Sequence, residues 1–527
     1  MLIASRFAGL ALLALAMTAP LSAADQVKIE GGTIEGTTGD EPSVRIFRGV
    51  PFAAAPVGDL RWKAPQPAKP WSEVRQATEF GARCMQPPVF SDMVFRDAGN
   101  SEDCLYLNVW TPAKSASERL PVIVWFYGGG FVAGASSEAR YDGVHMAAKG
   151  AVVVTPNYRL GVFGFLSHPD LTKESGHNAS GNYGLLDLVA ALQWVHNNIS
   201  AFGGDPSNVT ISGESAGSFA VSALMASPLA QGLFHKAIGE SGAFFPNDRP
   251  SLATKSRSET EKAGMAFAAS LKARTIAELR AKTADEVYQA ETSDPFRFGP
   301  NLDGYFLPGK VSDIYAAGKQ SHVPLLAGWN ADEGTATILS SQEKPTAKTF
   351  AEQAQARWGS RAHAFLKVYP AATDEQALKS AEELAGDDFI AFSTWKWINA
   401  QVKTGQAPVY AYRFEQVPAE YPGAMAEGIA ATARGARHSG EIEYVFQMLK
   451  WLDRPWTPDD FRVADTMSSF WVNFARSGDP NGPGLPEWPK YESGDQFQVM
   501  HLLGKSSHAA PEEHRARYEF LQDEGAQ

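Results

Sequence analysis

The chain has 527 residues, of which 44% are hydrophobic and 20% charged, as is usual for a soluble globular protein. Its formal net charge of −12 argues against a nucleic-acid partner, because proteins that bind phosphate backbones concentrate Lys and Arg. The length would allow three average domains, yet large α/β enzymes often form around one core. We therefore predict a single domain over residues 25–527, and the sequence indicates no particular oligomeric state.

The first 24 residues predict a secretory signal peptide. Arg6 provides a positive start, and residues 8–19 form an apolar run that is too short to span a bilayer. Small residues at 22–24 then offer a cleavage site before Asp25. We expect a secreted or periplasmic protein that does not insert stably into a membrane.

Two cysteines, Cys84 and Cys104, are the only ones in the sequence. In an oxidising compartment an isolated pair most simply forms one disulfide. Two cysteines alone cannot build a zinc site, and the sequence contains no HExxH motif. No metal is therefore expected.

Several apolar runs predict buried strands, at residues 120–127, 151–155, 209–212, 323–327 and 409–414. Runs without alternation are typical of strands covered on both faces, hence of a mostly parallel sheet between helices. Amphipathic helices are predicted at 183–199, 258–271 and 373–384. This order predicts a doubly wound α/β fold, with extra loops and helices over the ligand-binding edge of the sheet.

Three glycines, Gly128 to Gly130, follow the first of these strands. Such glycines let backbone N–H groups approach a substrate oxygen, which indicates an oxyanion hole. The same residues also fit a loose dinucleotide-binding pattern. That alternative needs a carboxylate at the end of the next strand, where the sequence has Pro156-Asn157-Tyr158. We therefore expect no dinucleotide and no other cofactor.

The segment from Gly213 to Gly217 reads Gly-Glu-Ser-Ala-Gly, between a β-prone run and a helix-like stretch. A serine in this position is typical of a nucleophile elbow. We expect Ser215 to have a strained backbone, and backbones near both glycines to pass too close for a Cβ atom. The alternative is a glycine-rich turn that contains an incidental serine.

A serine nucleophile needs a histidine as base and a carboxylic acid that orients the histidine. In α/β-hydrolases the acid follows the serine in the chain, and the histidine follows the acid. The histidines late enough in the chain are His363, His438, His501, His508 and His514. Only His438 lies in a glycine-flanked loop, whereas the others fall in a predicted helix, a predicted strand or the charged C-terminal tail. Asp332 and Glu333 follow the strand at 323–327, and the residues alone do not choose between them.

At this point the chain resembles the type-B carboxylesterase/cholinesterase family of α/β-hydrolases, over about residues 27–491. The motifs that carry the resemblance are FRGVPF at 47–52, PVGDLRW at 56–62, EDCLYLNVW at 102–110, YGGGF at 127–131, NYRLG at 157–161, FGGDP at 202–206, GESAG at 213–217 and GDPNG at 478–482. Together they are far more specific than the serine motif alone.

The resemblance implies that Ser215 is the nucleophile, His438 the base and Glu333 the acid. It also implies that Cys84 pairs with Cys104 in the first disulfide of the family. The residues that match the oxyanion hole are Gly129, Gly130 and Ala216.

The chain departs from the family at Tyr127, where relatives usually carry histidine before the glycines. Ser241 lies in a segment that resembles a second elbow, and we expect it to be a structural serine. Glu214 either tunes the charge of the pocket or is a structural carboxylate. Two phenylalanines, Phe296 and Phe298, match acyl-pocket positions and are otherwise core aromatics.

These observations predict a serine carboxylesterase that hydrolyses small-molecule carboxylic esters through an acyl-enzyme intermediate. One alternative is a non-catalytic binding or adhesion protein on the same fold. Another is a hydrolase of amides or thioesters, which a triad alone does not distinguish from an esterase.

Overall fold

The computed structural model describes residues 26–245, 254–339, 341, 343–418, 435–492 and 497–523. The predicted signal peptide therefore lies outside the described residues. The main sheet of the described chain has eleven strands. They are Thr37–Thr38 (β1), Arg45–Pro51 (β2), Tyr106–Thr111 (β3), Leu120–Phe126 (β4), Val152–Pro156 (β5), Gly204–Glu214 (β6), Lys236–Glu240 (β7), Leu325–Asn330 (β8), Val409–Phe414 (β9), Gln498–Leu502 (β10) and His508–Pro511 (β11).

The strands lie side by side in the order β11-β10-β9-β8-β7-β6-β4-β5-β3-β2-β1. The six central pairings, from β10 to β5, are parallel, with Val209 of β6 opposite Val122 of β4 as an example. The outer pairings are antiparallel. The predicted mostly parallel sheet is confirmed, and antiparallel strands extend it at both edges.

Helices cover both faces of this sheet. In chain order they are Val144–Ala148 (α1), Gly161–Phe165 (α2), Pro169–Glu174 (α3), Tyr183–Asn198 (α4), Ala216–Ala226 (α5), Arg257–Ser270 (α6), Ile276–Arg280 (α7), Ala284–Glu291 (α8), Val311–Ala316 (α9), Thr335–Leu339 (α10), Ala347–Trp358 (α11), Ala362–Val368 (α12), Asp374–Gly386 (α13), Phe392–Thr404 (α14), Ile442–Val445 (α15), Pro458–Ser477 (α16) and Arg515–Gln522 (α17). The three predicted helices correspond to α4, α6 and α13.

The boundaries of several helices follow from local capping. Ser256 and Glu259 form a capping box at the start of α6, and Thr457 and Asp460 form one at the start of α16. Helix α16 ends at Ser477, and the next residue, Gly478, closes the last turn with a positive φ of 79°. The start of α6 at Arg257 lies one residue before the predicted start, whereas the sequence analysis predicts no helix over the residues of α16.

One helical segment departs from regular geometry. Helices α13 and α14 are continuous through a π-turn at Asp387–Ala391. A π-turn places one extra residue within a helical turn, and such turns are frequent at functional sites.

Smaller elements flank the main sheet. Strands at Gln26–Ile29, Gly32–Glu35 and Arg75–Gln76 form a three-stranded sheet, and Lys255–Ser256 pairs with Asn301–Leu302. The pair Arg83–Cys84 and Asn100–Ser101 lies beside the disulfide between Cys84 and Cys104. In the part of the chain that the structure describes, no helix is both long and apolar enough to cross a membrane.

Candidate active site

The turn at Ser215 joins strand β6 to helix α5. Ser215 has a φ of 52°, a strained conformation for a residue with a side chain, and its N–H donates to the carbonyl of Glu240 at 2.9 Å. A Cβ atom at Gly217 would lie 1.9 Å from the carbonyl oxygen of Phe126, and one at Gly213 would lie 2.6 Å from the backbone of Gly217. Both glycines are therefore required for the turn to form.

The imidazole of His438 bridges this serine and a carboxylate. Its Nε2 lies 3.0 Å from Ser215 Oγ, and its Nδ1 lies 2.6 Å from Glu333 Oε2. The three residues are far apart in sequence, and the serine and the histidine have a sequence separation of 223. They meet because β6 and β8 deliver Ser215 and Glu333 to the same edge of the sheet.

Glu333 is held by two further donors. Its Oε1 accepts the backbone N–H of Asn330 at 2.9 Å and the hydroxyl of Ser241 at 2.6 Å. The side chain is almost completely buried, so each donor compensates part of the loss of hydration. The carboxylate is thereby fixed in the orientation that faces His438.

Asp332, the other acid that the sequence left open, has a different position. Its carboxylate accepts the N–H of Ala436 at 2.7 Å, and its own N–H donates to the carbonyl of Ala436 at 3.0 Å. A Cβ at Gly435 would lie 2.2 Å from Asp332 Oδ2. Asp332 thus ties the loop that carries His438 to the turn that carries Glu333.

Buried carboxylates set the charge around the imidazole. Glu214 Oε1 lies 3.3 Å from His438 Nε2, close enough for the carboxylate to stabilise a charged imidazole. Burial alone lowers the pKa of His438, but Glu214 and Glu333 outweigh it, so the net shift is upward. Glu441 lies nearby, and burial raises its pKa to about 7. These carboxylates therefore stabilise the imidazolium that forms when the histidine accepts a proton.

The segment from Gly128 to Gly134, which follows strand β4 and which we call the glycine loop, lies beside the serine. A Cβ at Gly128 would be 3.0 Å from the Cβ of Ser215. Gly129 and Gly130 have positive φ angles of 102° and 64°, and within the described residues neither donates a backbone hydrogen bond. Ala216 begins helix α5, so its N–H has no partner within the helix. These N–H groups are available to an oxygen bound next to Ser215.

One of the two phenylalanines matched to acyl-pocket positions, Phe296, borders the glycine loop. Phe296 is 57% exposed and its ring lies over Gly130, where a Cβ would approach Cε1 to 2.9 Å. Phe298 instead is buried and packs edge-on against Phe267, with ring centroids 5.2 Å apart. Only Phe296 of the two therefore faces the loop, and the pocket role of both stays a prediction.

Two neighbours of the site were not assigned to it from sequence. Ser241 was expected to be structural, and it donates to Glu333. Phe389, in the π-turn, packs edge-on against His438 with centroids 5.0 Å apart. A usable signal existed for Ser241, because it follows β7 at the same edge of the sheet. We find no comparable signal for Phe389.

The sheet, the turn after β6 and the loops at its carboxyl edge define an α/β-hydrolase. A model of the carboxylesterase family matches residues 23–521. Fumonisin B1 esterase of Sphingopyxis macrogoltabida is 38% identical over 480 residues, which cover 88% of this chain and 84% of that protein. Para-nitrobenzyl esterase of Bacillus subtilis (strain 168) is 37% identical over 475 residues, covering 88% and 92%.

Solved structures agree with these relatives. The structure of a thermophilic PNB esterase superposes with a TM-score of 0.79 at 33% identity, covering 94% of this chain and 100% of that one. The chain belongs to the carboxylesterase family and is a carboxylic ester hydrolase. The resemblance to the type-B carboxylesterases inferred from sequence is confirmed.

Proposed function

We propose that the protein is a serine carboxylesterase that works through an acyl-enzyme on Ser215, His438 and Glu333. Ser215 Oγ attacks the ester carbonyl carbon while His438 Nε2 takes the hydroxyl proton. The imidazolium then gives this proton to the leaving alkoxide. Water, activated by the same histidine, releases the acid and restores the serine.

The observation that carries this proposal is the double contact of one imidazole. His438 lies 3.0 Å from the serine oxygen through Nε2 and 2.6 Å from Glu333 through Nδ1. A carboxylate at Nδ1 keeps a proton on that nitrogen and leaves Nε2 as the base, and it stabilises the imidazolium that forms.

The oxyanion formed during attack would be bound by the N–H groups of Gly129, Gly130 and Ala216. Removal of one such donor from a serine hydrolase typically lowers kcat by roughly 10²–10³-fold. Neither the N–H of Gly129 nor that of Gly130 donates a backbone hydrogen bond within the described residues, which supports this role.

The test is hydrolysis of a short p-nitrophenyl ester by Ser215→Ala. We expect the loss of essentially all turnover, together with the loss of labelling by a fluorophosphonate. Ser200→Ala changes an exposed serine and is the matched control, which should label and turn over normally. Near-normal turnover by Ser215→Ala would refute the assignment, and a wild-type protein that neither labels nor hydrolyses would support a non-catalytic binder.

The class of acyl donor requires a separate measurement. One relative, 36% identical over 498 residues, is named a medium-chain fatty acyl-CoA hydrolase, so thioesters are a specific second candidate. We propose small carboxylic esters as the preferred class. Oxygen esters, thioesters and amides with the same acyl group should be compared by kcat/KM, and a higher value for the thioester or the amide would overturn that preference.

We further propose that residues 25–527 act as one domain outside the cytoplasm, after removal of residues 1–24. The disulfide between Cys84 and Cys104 supports an oxidising compartment. Mass spectrometry of the N-terminus of the exported protein tests this, and a chain that still carries Met1 would contradict it.

A further inference from the structure

Tyr127, the residue directly before the glycine loop, is hydrogen-bonded to Tyr158 and stacks on its ring. Tyr127 Oη donates to the carbonyl of Tyr158 at 3.1 Å and accepts the N–H of Tyr158 at 3.1 Å. In return, Tyr158 Oη donates to the carbonyl of Tyr127 at 2.8 Å. Their rings stack with centroids 4.4 Å apart and planes 16° from parallel. We call this unit the tyrosine latch.

The latch acts on the peptide bond from which the glycine loop starts. The carbonyl of Tyr127 belongs to the peptide that enters Gly128, so the bond from Tyr158 fixes the direction in which the loop leaves β4. The ring of Tyr127 also lies against Gly134 at the far end of the loop, where a Cβ would be 2.4 Å from Cδ2. One tyrosine thus contacts both ends of the segment that carries Gly129 and Gly130.

Both hydroxyls are suited to a permanent structural bond. Tyr127 and Tyr158 have no exposed surface, and burial raises the pKa of each phenol well above its usual value. They therefore remain neutral donors over the pH range in which an esterase works. A buried donor or acceptor that loses its partner lowers the free energy of unfolding, so loss of one of the three bonds weakens the whole latch.

The partner loop is itself held on both sides of Tyr158. Asn157 Nδ2 donates at 3.1 Å to the carbonyls of Ala82 and Cys104, beside the disulfide. Arg159 forms a paired ion bridge with Asp187 of α4, at 2.8 and 2.7 Å. Three successive residues therefore bind the disulfide loop, the glycine loop and a long helix. Tyr158 is a fixed point against which the glycine loop can be aligned.

We propose that the tyrosine latch positions the oxyanion-binding N–H groups of Gly129 and Gly130, so that Tyr127 and Tyr158 are positioning residues of the esterase. This inference rests on the proposed function. Oxyanion donors act only when they are aimed at the oxygen before charge develops, and small displacements reduce their effect. The latch provides that preorganisation from behind the loop, without touching the substrate.

The test compares Tyr127→Phe, Tyr158→Phe and the double variant with the wild type. Each single change keeps the ring stack and removes only hydroxyl bonds. We expect kcat/KM for a short p-nitrophenyl ester to fall about tenfold to a hundredfold, less than the loss of a whole donor, with KM nearly unchanged. The double variant should be little worse than the poorer single variant, because both hydroxyls act through the same loop.

A second readout separates positioning from general destabilisation. A trifluoromethyl ketone adds to the serine and places an oxyanion in the hole, so its inhibition constant should rise by the same factor as kcat/KM falls. Tyr491→Phe is the matched control, because its buried hydroxyl bonds Glu512 at 2.9 Å. That control should lower the melting temperature while leaving both constants unchanged.

The outcomes are distinguishable from failure of the proposed function. If the wild type hydrolyses esters and the latch variants keep kcat/KM within twofold, the latch does not position the loop. The inference is also overturned if Tyr491→Phe at equal melting temperature loses as much activity as the latch variants. If the wild type itself hydrolyses no ester, the proposed function fails first, and the latch is left without an oxyanion hole to align.

Discussion

On the serine side of the site, position is set by backbone contacts, whereas on the histidine side it is set by side-chain hydrogen bonds. Ser215 is fixed by a turn whose two glycines touch the backbones of Phe126 and Gly217. His438 is fixed by Glu333, which in turn depends on Ser241 and Asn330. The first arrangement comes from adjacent strands, and the second joins residues from three separate loops.

This difference indicates how each side should fail. Two backbone segments in contact have no side-chain rotation that could make room, so even one added methyl group must displace a strand. A side-chain bond can be lost without unfolding, and the result is a folded protein with a misoriented base. Substitutions on the serine side should therefore affect folding and activity together, and those on the histidine side mainly activity.

Gly217→Ala should have the largest effect. The new Cβ would lie 1.9 Å from the carbonyl oxygen of Phe126, which forces β4 and α5 apart. We expect loss of all esterase activity and a destabilisation on the order of 3 kcal/mol or more, as for overpacking of a core. Thermal unfolding and turnover measure the two effects. Gly309→Ala, where nothing lies within 4 Å, should leave both unchanged, and a folded, active Gly217→Ala would contradict the backbone argument.

Glu333→Gln should separate activity from folding. The amide retains the shape of the side chain but presents no charge to His438 Nδ1. We expect kcat to fall roughly 10³–10⁴-fold, as for loss of the orienting carboxylate in other triads, with a nearly unchanged melting temperature. Asp332→Asn, which keeps an oxygen acceptor for the N–H of Ala436, is the control. Equal losses in the two variants would mean that Glu333 has no special role.

Glu214→Gln should have the smallest effect and act mainly through pH. Glu214 helps to raise the pKa of His438, so its removal lowers that pKa. The histidine must be neutral to act as a base, and the acidic limb of the kcat/KM profile should therefore move to lower pH. Profiles of both proteins with one ester test this. An acidic limb that stays in place or moves to higher pH would exclude Glu214 as a determinant of the histidine charge.

The features that sequence predicts well are those that local patterns encode. Strand β9 has the predicted bounds, and the elbow is present with its strained Ser215. Each depends on apolar runs or on glycines a few residues away. Strand β8 extends three residues past the predicted end, because it pairs with β9 along its whole length up to Asn330. Such pairing depends on a strand that is distant in sequence.

The features that sequence misses are contacts between hydroxyls and distant groups. Ser241 bonds Glu333 across 92 residues, and Tyr158 bonds the carbonyl of Tyr127 across 31. Their geometry depends on how neighbouring strands end and on which rotamer the packing permits. The π-turn that brings Phe389 against His438 is likewise not marked by any local sequence pattern that we recognise. The choice between Asp332 and Glu333 was made by family resemblance, and the structure shows why both acids are present.

The separation of 223 residues between the serine and the histidine has a consequence for biosynthesis. A ribosome has translated most of the message before it adds His438, and β10 and β11 follow later still. A growing chain therefore contains the elbow long before it contains His438. The contacts of His438 with Ser215 and Glu333 can therefore form only after translation has entered the last fifth of the polypeptide.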